Sequence, residues 1–145
     1  MANEIIAIAS DHAGFSLKEV LKGKLENLGF EVLDLGTNST DSVDYPDYGI
    51  AMGEAIAGGK ANRGVLVCGS GIGISIAANR NESVRAALCH SGLMARLARQ
   101  HNDVNVLALG ARLTGVDTAL DCLSEFLNTP FEGGRHARRV SKLSS

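Results

Sequence analysis

Five short apolar runs recur along the chain, and most are followed by a polar or glycine-containing turn and then a segment of helical spacing. They are IIAIAS (Ile5–Ser10), EVLDLG (Glu31–Gly36), GVLVCG (Gly64–Gly69), VRAALCH (Val84–His90) and VNVLALG (Val104–Gly110). Such runs read as strands buried on both faces. Between them, SLKEVLKGKLENLG (Ser16–Gly29) spaces Leu17, Val20, Leu21, Leu25 and Leu28 at three and four residues and stops on a glycine, which predicts a helix. DYPDYGIAMGEAIAGG, GIGISIAAN, SGLMARLARQH and TGVDTALDCLSEFLN read the same way. Leu93 and Leu97 fall one turn apart in the fourth helix, and Leu120, Leu123 and Leu127 form a stripe in the fifth. Strands that alternate with helices pair in parallel through right-handed crossovers. The expected fold is therefore a three-layer, Rossmann-like α/β sandwich with a five-stranded parallel sheet.

The length of 145 residues fits one domain, residues 1–145. A net charge of −2 supplies no field for nucleic acid or an anionic membrane, and 4% aromatic residues without Trp argue against a base-stacking surface. Cys68, Cys89 and Cys122 have no metal-ligand spacing and cannot all pair, so the expected setting is reducing and cytoplasmic. The N-terminal MANEIIAIASDH carries Glu4 inside too short an apolar run for a signal peptide, and no run approaches the roughly 18 residues of a membrane span.

In a doubly wound sheet ligands bind beyond the carboxyl ends of the strands. Those exits hold Asp11 and His12, Gly36 and Thr37, Cys68 to Ser70, Cys89 and His90, and Gly110 to Arg112. The third exit, CGSGIGISIAANR, is the richest. A dinucleotide loop would need a glycine where Ile74 stands and an acid after the next strand. A P-loop would need Lys and then Ser or Thr, and a phosphatase loop would need Arg at position 74. What remains is a cysteine at a strand exit, followed by Gly69, Gly71 and Gly73 at a helix start. Backbone N–H groups and the helix dipole there would hold an anion and favour a thiolate. The plain alternative is a small buried cysteine before a tight turn. Elsewhere Asp11 fits a helix cap, and His101 and Asn102 lie between a helix and a strand. Arg135 and Arg139, four apart in the basic tail, share a helix face and could fork onto one phosphate. Together these groups suggest proton transfer on a phosphorylated sugar.

SDHAGF, GTNSTDSVDYPDYG, GVLVCGSGIGISIAANR, RQHNDVNVLALGAR and FEGGRHARRV follow one another over nearly the whole chain. In these stretches the chain resembles the RpiB/LacAB sugar-phosphate isomerase family, to which ribose-5-phosphate isomerase B belongs. The resemblance implies a reversible aldose–ketose isomerisation of ribose 5-phosphate and ribulose 5-phosphate, with neither a metal nor an organic cofactor. It implies Cys68 as the base that moves a proton between C2 and C1 through a cis-enediolate. The N–H groups of Gly69, Ser70, Gly71, Ile72 and Gly73 would hold the oxyanion. Ser70, standing where many members have Thr, would orient the reacting proton. His101 would open the sugar ring, with Asn102 beside it. Asp11, His12 and Tyr45 would bind the sugar, and Arg135 and Arg139 the phosphate, with Arg112 close by. The basic tail from about residue 131 would complete that phosphate site. Some members use a glutamate base in this region; Gly71-Ile72-Gly73-Ile74 contains no acid, which favours Cys68. The family forms homodimers, some paired into tetramers, with each active site at the dimer interface. Allose 6-phosphate, galactose 6-phosphate, or phosphate binding without catalysis are the competing expectations.

Overall fold

A computed structural model of the chain describes residues 3–144. In chain order the elements are β1 (Ile5–Ser10), α1 (Phe15–Asn27), β2 (Glu31–Asp34), α2 (Tyr45–Ala57), β3 (Arg63–Cys68), α3 (Ile72–Asn79), β4 (Ala86–Leu88), α4 (Gly92–Asn102), β5 (Val106–Gly110), α5 (Val116–Asn128) and α6 (Arg135–Ser141). A 3-10 turn, Lys142–Ser144, ends the described chain. All five strands are parallel, in the order β2-β1-β3-β5-β4. The expected α/β sandwich is the fold.

Alternate strand residues feed two cores. Ile6, Ile8, Val65, Val67, Leu107 and Leu109 pack against α1, α4 and α5, through Leu21, Leu25, Ala95, Leu123 and Phe126. Ala7, Ala9, Leu66, Cys68 and Ala108 pack against α2 and α3, through Met52, Ile74 and Ala78. Each fully buried large apolar side chain contributes about 1.5–3 kcal/mol. The chain leaves β1 and β5 for one face and leaves β3, which lies between them, for the other. The end of β3, Cys68, therefore stands between two divergent exits, where a crevice opens. Among the described residues no helix is long and apolar enough to cross a membrane.

Three local expectations change. In α4 the stripe that faces α5 is made of small residues: Gly92 packs on the Asp121 carboxylate and Ala95 is buried. Leu93 and Leu97 therefore turn outward, 53% and 38% exposed. β4 is shorter than its apolar run, because Val84 N–H donates to Asn81 O and Arg85 N–H to Asn105 Oδ1 outside the ladder. Val20 in α1 and Leu28 just after it are exposed, while Lys18 in α1 is fully buried.

Lys18 is buried because β2 presents an acid to it. Its Nζ donates to both carboxylate oxygens of Asp34 at 2.9 Å. Lys22 Nζ and the Gly36 N–H donate to the same carboxylate at 3.1 and 2.9 Å. Burial pushes the Asp34 carboxyl up, but the bonds from Lys18, Gly36 and Lys22 outweigh it and hold the group below its ordinary value. This knot fixes the end of β2, from which the chain returns to β1: Ser10 N–H donates to Gly36 O and Thr37 N–H to Ser10 O.

Candidate active site

Cys68 closes β3 at the floor of a cavity of about 560 Å³. Asp11 reaches the cavity from the end of β1 and Tyr45 from the first turn of α2. Ser70, Ile72 and Gly73 come from the β3–α3 loop, and Arg112 from the exit of β5. Eight of the residues expected at the site from the sequence thus meet here: Asp11, Tyr45, Cys68, Gly69, Ser70, Ile72, Gly73 and Arg112.

The loop's geometry follows from its glycines. Gly71 precedes α3 at φ 78°, a left-handed conformation, and a Cβ there would lie 2.5 Å from Leu88 Cδ1. This turn aims the Gly71 N–H at Cys68 Sγ, 3.1 Å away. The donor and the N-terminus of α3 both place positive partial charge at the sulfur. The Tyr45 ring fills the space that a side chain at Gly73 would need. The Ile72 N–H donates to Ser70 Oγ at 3.2 Å. Two of the expected oxyanion donors, Gly71 and Ile72, are thus engaged inside the loop.

The other cysteines lack this setting. Burial pushes the Cys89 thiol up to about 12 and also raises Cys122. Both sit in the core under α5, away from the cavity.

Asp11 Oδ1 accepts from the Gly14 N–H at 3.0 Å, so it shapes the turn before α1 while it lines the cavity. His12 Nδ1 accepts from the Val43 N–H at 3.1 Å and pins the long segment that delivers Tyr45. His12 does not line the cavity itself.

His101, Asn102, Arg135 and Arg139 do not reach this cavity within one chain. Helix α4 starts beyond the carboxyl end of β4 and runs back, so His101 and Asn102 lie at the amino end of the sheet. Asn102 lines a separate cavity of about 410 Å³ with Arg85 and Leu143. Helix α6 packs against the same end of α4, and the His136 ring stacks on His101 with centroids 4.6 Å apart. A strand rises about 3.3 Å per residue, so a sheet of this depth puts roughly 15–20 Å between its two ends.

Ile76 and Leu113 also line the cavity and were not anticipated. With Ile72 they form an exposed apolar rim, of which Leu113 is 62% exposed. The available signal was the pair Ile72 and Ile76, four apart on α3 and off the face that carries the buried Ile74 and Ala78.

Residues 6–143 match the family model described as Ribose/Galactose Isomerase. The chain belongs to the ribose/galactose isomerase family. It is 44% identical over 140 residues to ribose-5-phosphate isomerase B of Escherichia coli, covering 97% of this chain and 94% of that one. Among solved structures, a Thermotoga maritima ribose 5-phosphate isomerase is 52% identical, covers 99% of both chains and superposes with a TM-score of 0.95. The Mycoplasma genitalium ribose-5-phosphate isomerase B, solved with ribulose-5-phosphate bound, is 39% identical with a TM-score of 0.94, over 99% of this chain and 96% of that one. Membership makes this chain a sugar-phosphate isomerase.

Proposed function

We propose that this isomerase interconverts D-ribose 5-phosphate and D-ribulose 5-phosphate by proton transfer through a cis-enediolate. The observation that carries the reading is the Gly71 N–H directed at Cys68 Sγ on the floor of the cavity. Cys68 takes the C2 proton of the aldose and returns it to C1. Negative charge develops on the carbonyl oxygen as the proton leaves. The N–H groups of Gly69, Ser70 and Gly73 hold it, each worth about 3 kcal/mol when preorganised, while the Gly71 N–H stays on the sulfur. The Ile72 N–H joins them when Ser70 Oγ turns to orient the reacting hydroxyl. Asp11 and Tyr45 bind the sugar, His12 holds the segment that delivers Tyr45, and Arg112, beside Gly69, meets the sugar's polar groups.

Ribose 5-phosphate is mostly cyclic in water, so a general acid–base must first open the ring. His101 does this, with Asn102 binding beside it. Arg135 and Arg139 clamp the phosphate and hold C1 and C2 against the base. Since these four residues and Cys68 lie at opposite ends of one chain's sheet, the active unit is a homodimer. In it the His101 end of one copy covers the Cys68 cavity of the other. The exposed rim of Ile72, Ile76 and Leu113 is the surface such a copy would bury.

A mixing experiment tests this arrangement. Cys68→Ala and His101→Ala chains, each inactive alone, are unfolded and refolded together. A two-fold dimer with shared sites regenerates one intact site in each mixed dimer, or about a quarter of wild-type activity. Activity that stays at the level of the separate variants contradicts shared sites.

Arg135→Ala is expected to raise KM steeply for phosphorylated sugars and to leave turnover of unphosphorylated aldoses nearly unchanged. Equal effects on both substrate types would remove Arg135 from the phosphate role.

A further inference from the structure

Two imidazoles and a carboxylate converge where the last turn of α4 meets the first turn of α6. His101, Glu132 and His136 each place a ligand atom within 4.8 Å of the others'. The two rings are stacked, 16° from parallel. His136 is buried, and its Nε2 has no hydrogen-bond partner; the Glu132 carboxylate stands 3.5 Å away. The cluster is held by backbone bonds rather than by chance side-chain placement. The Glu132 N–H donates to Gln100 O at 3.1 Å, beside His101, and the His136 N–H donates to Gly133 O at 3.1 Å.

We propose that His101, Glu132 and His136 bind a divalent transition-metal ion of the zinc type, and that the ion inhibits the isomerase by occupying His101. Two imidazole nitrogens and one carboxylate oxygen are a donor set suited to zinc, with water in the fourth position. Metal–ligand bonds of about 2 Å need ligand atoms roughly 3.4 Å apart, so the stacked rings must turn for their in-plane lone pairs to converge on one ion. Arg135 and Arg139 lie on the same helix as His136. The two arginines repel a cation, and the Glu132 carboxylate at the solvent side offsets them.

The binding half stands on the cluster alone; the inhibition half rests on the ring-opening role proposed for His101. The test uses full-length protein without a polyhistidine tag, stripped with EDTA and desalted. Zn²⁺ is titrated by calorimetry, and Co²⁺ by its visible spectrum. The expected result is one ion per chain, with a Co²⁺ spectrum that lacks the sulfur-to-metal charge-transfer band of a cysteine ligand. Glu132→Gln, at a half-exposed side chain, should bind Zn²⁺ roughly 10-fold or more weakly. Cys68→Ala should bind as tightly as wild type. Zn²⁺ should inhibit wild type reversibly, and Glu132→Gln only at correspondingly higher concentration. No binding, a sulfur band, lost binding in Cys68→Ala, or undiminished binding in Glu132→Gln would overturn the site. Binding at the cluster with turnover unaffected would overturn the inhibition. An enzyme inactive on ribose 5-phosphate even without metal would refute the proposed reaction, yet the Co²⁺ spectrum would still report on the site.

Discussion

Cys68→Ala is expected to lower kcat for the aldose–ketose interconversion by roughly 10²–10⁴-fold, the usual contribution of a positioned general base. The change deletes one sulfur atom at the floor of the cavity. The Gly71 turn has its own steric reason to exist, since its left-handed backbone is wedged against Leu88 and Leu109. The fold and KM for the phosphorylated sugar should therefore change little. Steady-state kinetics beside a thermal melt separates the two effects. Full activity in Cys68→Ala would remove Cys68 as the base and leave the reaction itself standing. Cys89→Ala serves as a contrast, because that thiol, pushed up to about 12 by burial, has no path to the cavity.

The second large effect is on stability. Asp34→Ala should destabilise the protein by about 3–5 kcal/mol, because it removes the carboxylate that accepts two short bonds from the buried Lys18 ammonium and leaves it only the half-exposed Glu19 carboxylate at 3.4 Å. Urea unfolding measures this. Adding Lys18→Met to the Asp34 variant should recover much of the loss, since removing both charges leaves no uncompensated ion. A cost below about 1 kcal/mol for Asp34→Ala, the range of an exposed pair, would contradict the account. The same knot gives a pH dependence. Asp34 is held below its ordinary value of 3.8 in the folded state. Its contribution is complete above that value and is lost as pH falls toward the folded-state value. Wild type should lose urea resistance as pH falls below about 4, and Lys18→Met should lose less of it.

The sheet was legible because its strands are buried on both faces, and a run such as IIAIAS has few other uses in a chain this short. The helical periods were legible too, but not always which side of a helix faces in. Leu93 and Leu97 mark an apolar face of α4, yet the tight approach to α5 at Gly92 needs small residues inward, so the leucines face out. Nothing in the helical spacing of α1 marks Lys18 for burial. Its burial depends on Asp34 at the end of a different element, a pairing that no local pattern encodes. Half of the candidate site was visible for the reason the sheet was: Asp11, Cys68 and Arg112 close strands or follow them, and parallel strands end together. His101 and Arg135 could be named from resemblance, but their position at the other end of the sheet follows only from the direction of α4. The stacking of His136 on His101 brings together residues 35 apart in sequence, and the sequence had shown only a basic tail.

The most direct test of the central claim is to incubate EDTA-treated wild-type protein with ribose 5-phosphate in D₂O and follow it by proton NMR. The account predicts ribulose 5-phosphate, with solvent deuterium at C1 wherever the proton on Cys68 exchanges with water before its return. Absence of ribulose 5-phosphate would contradict it.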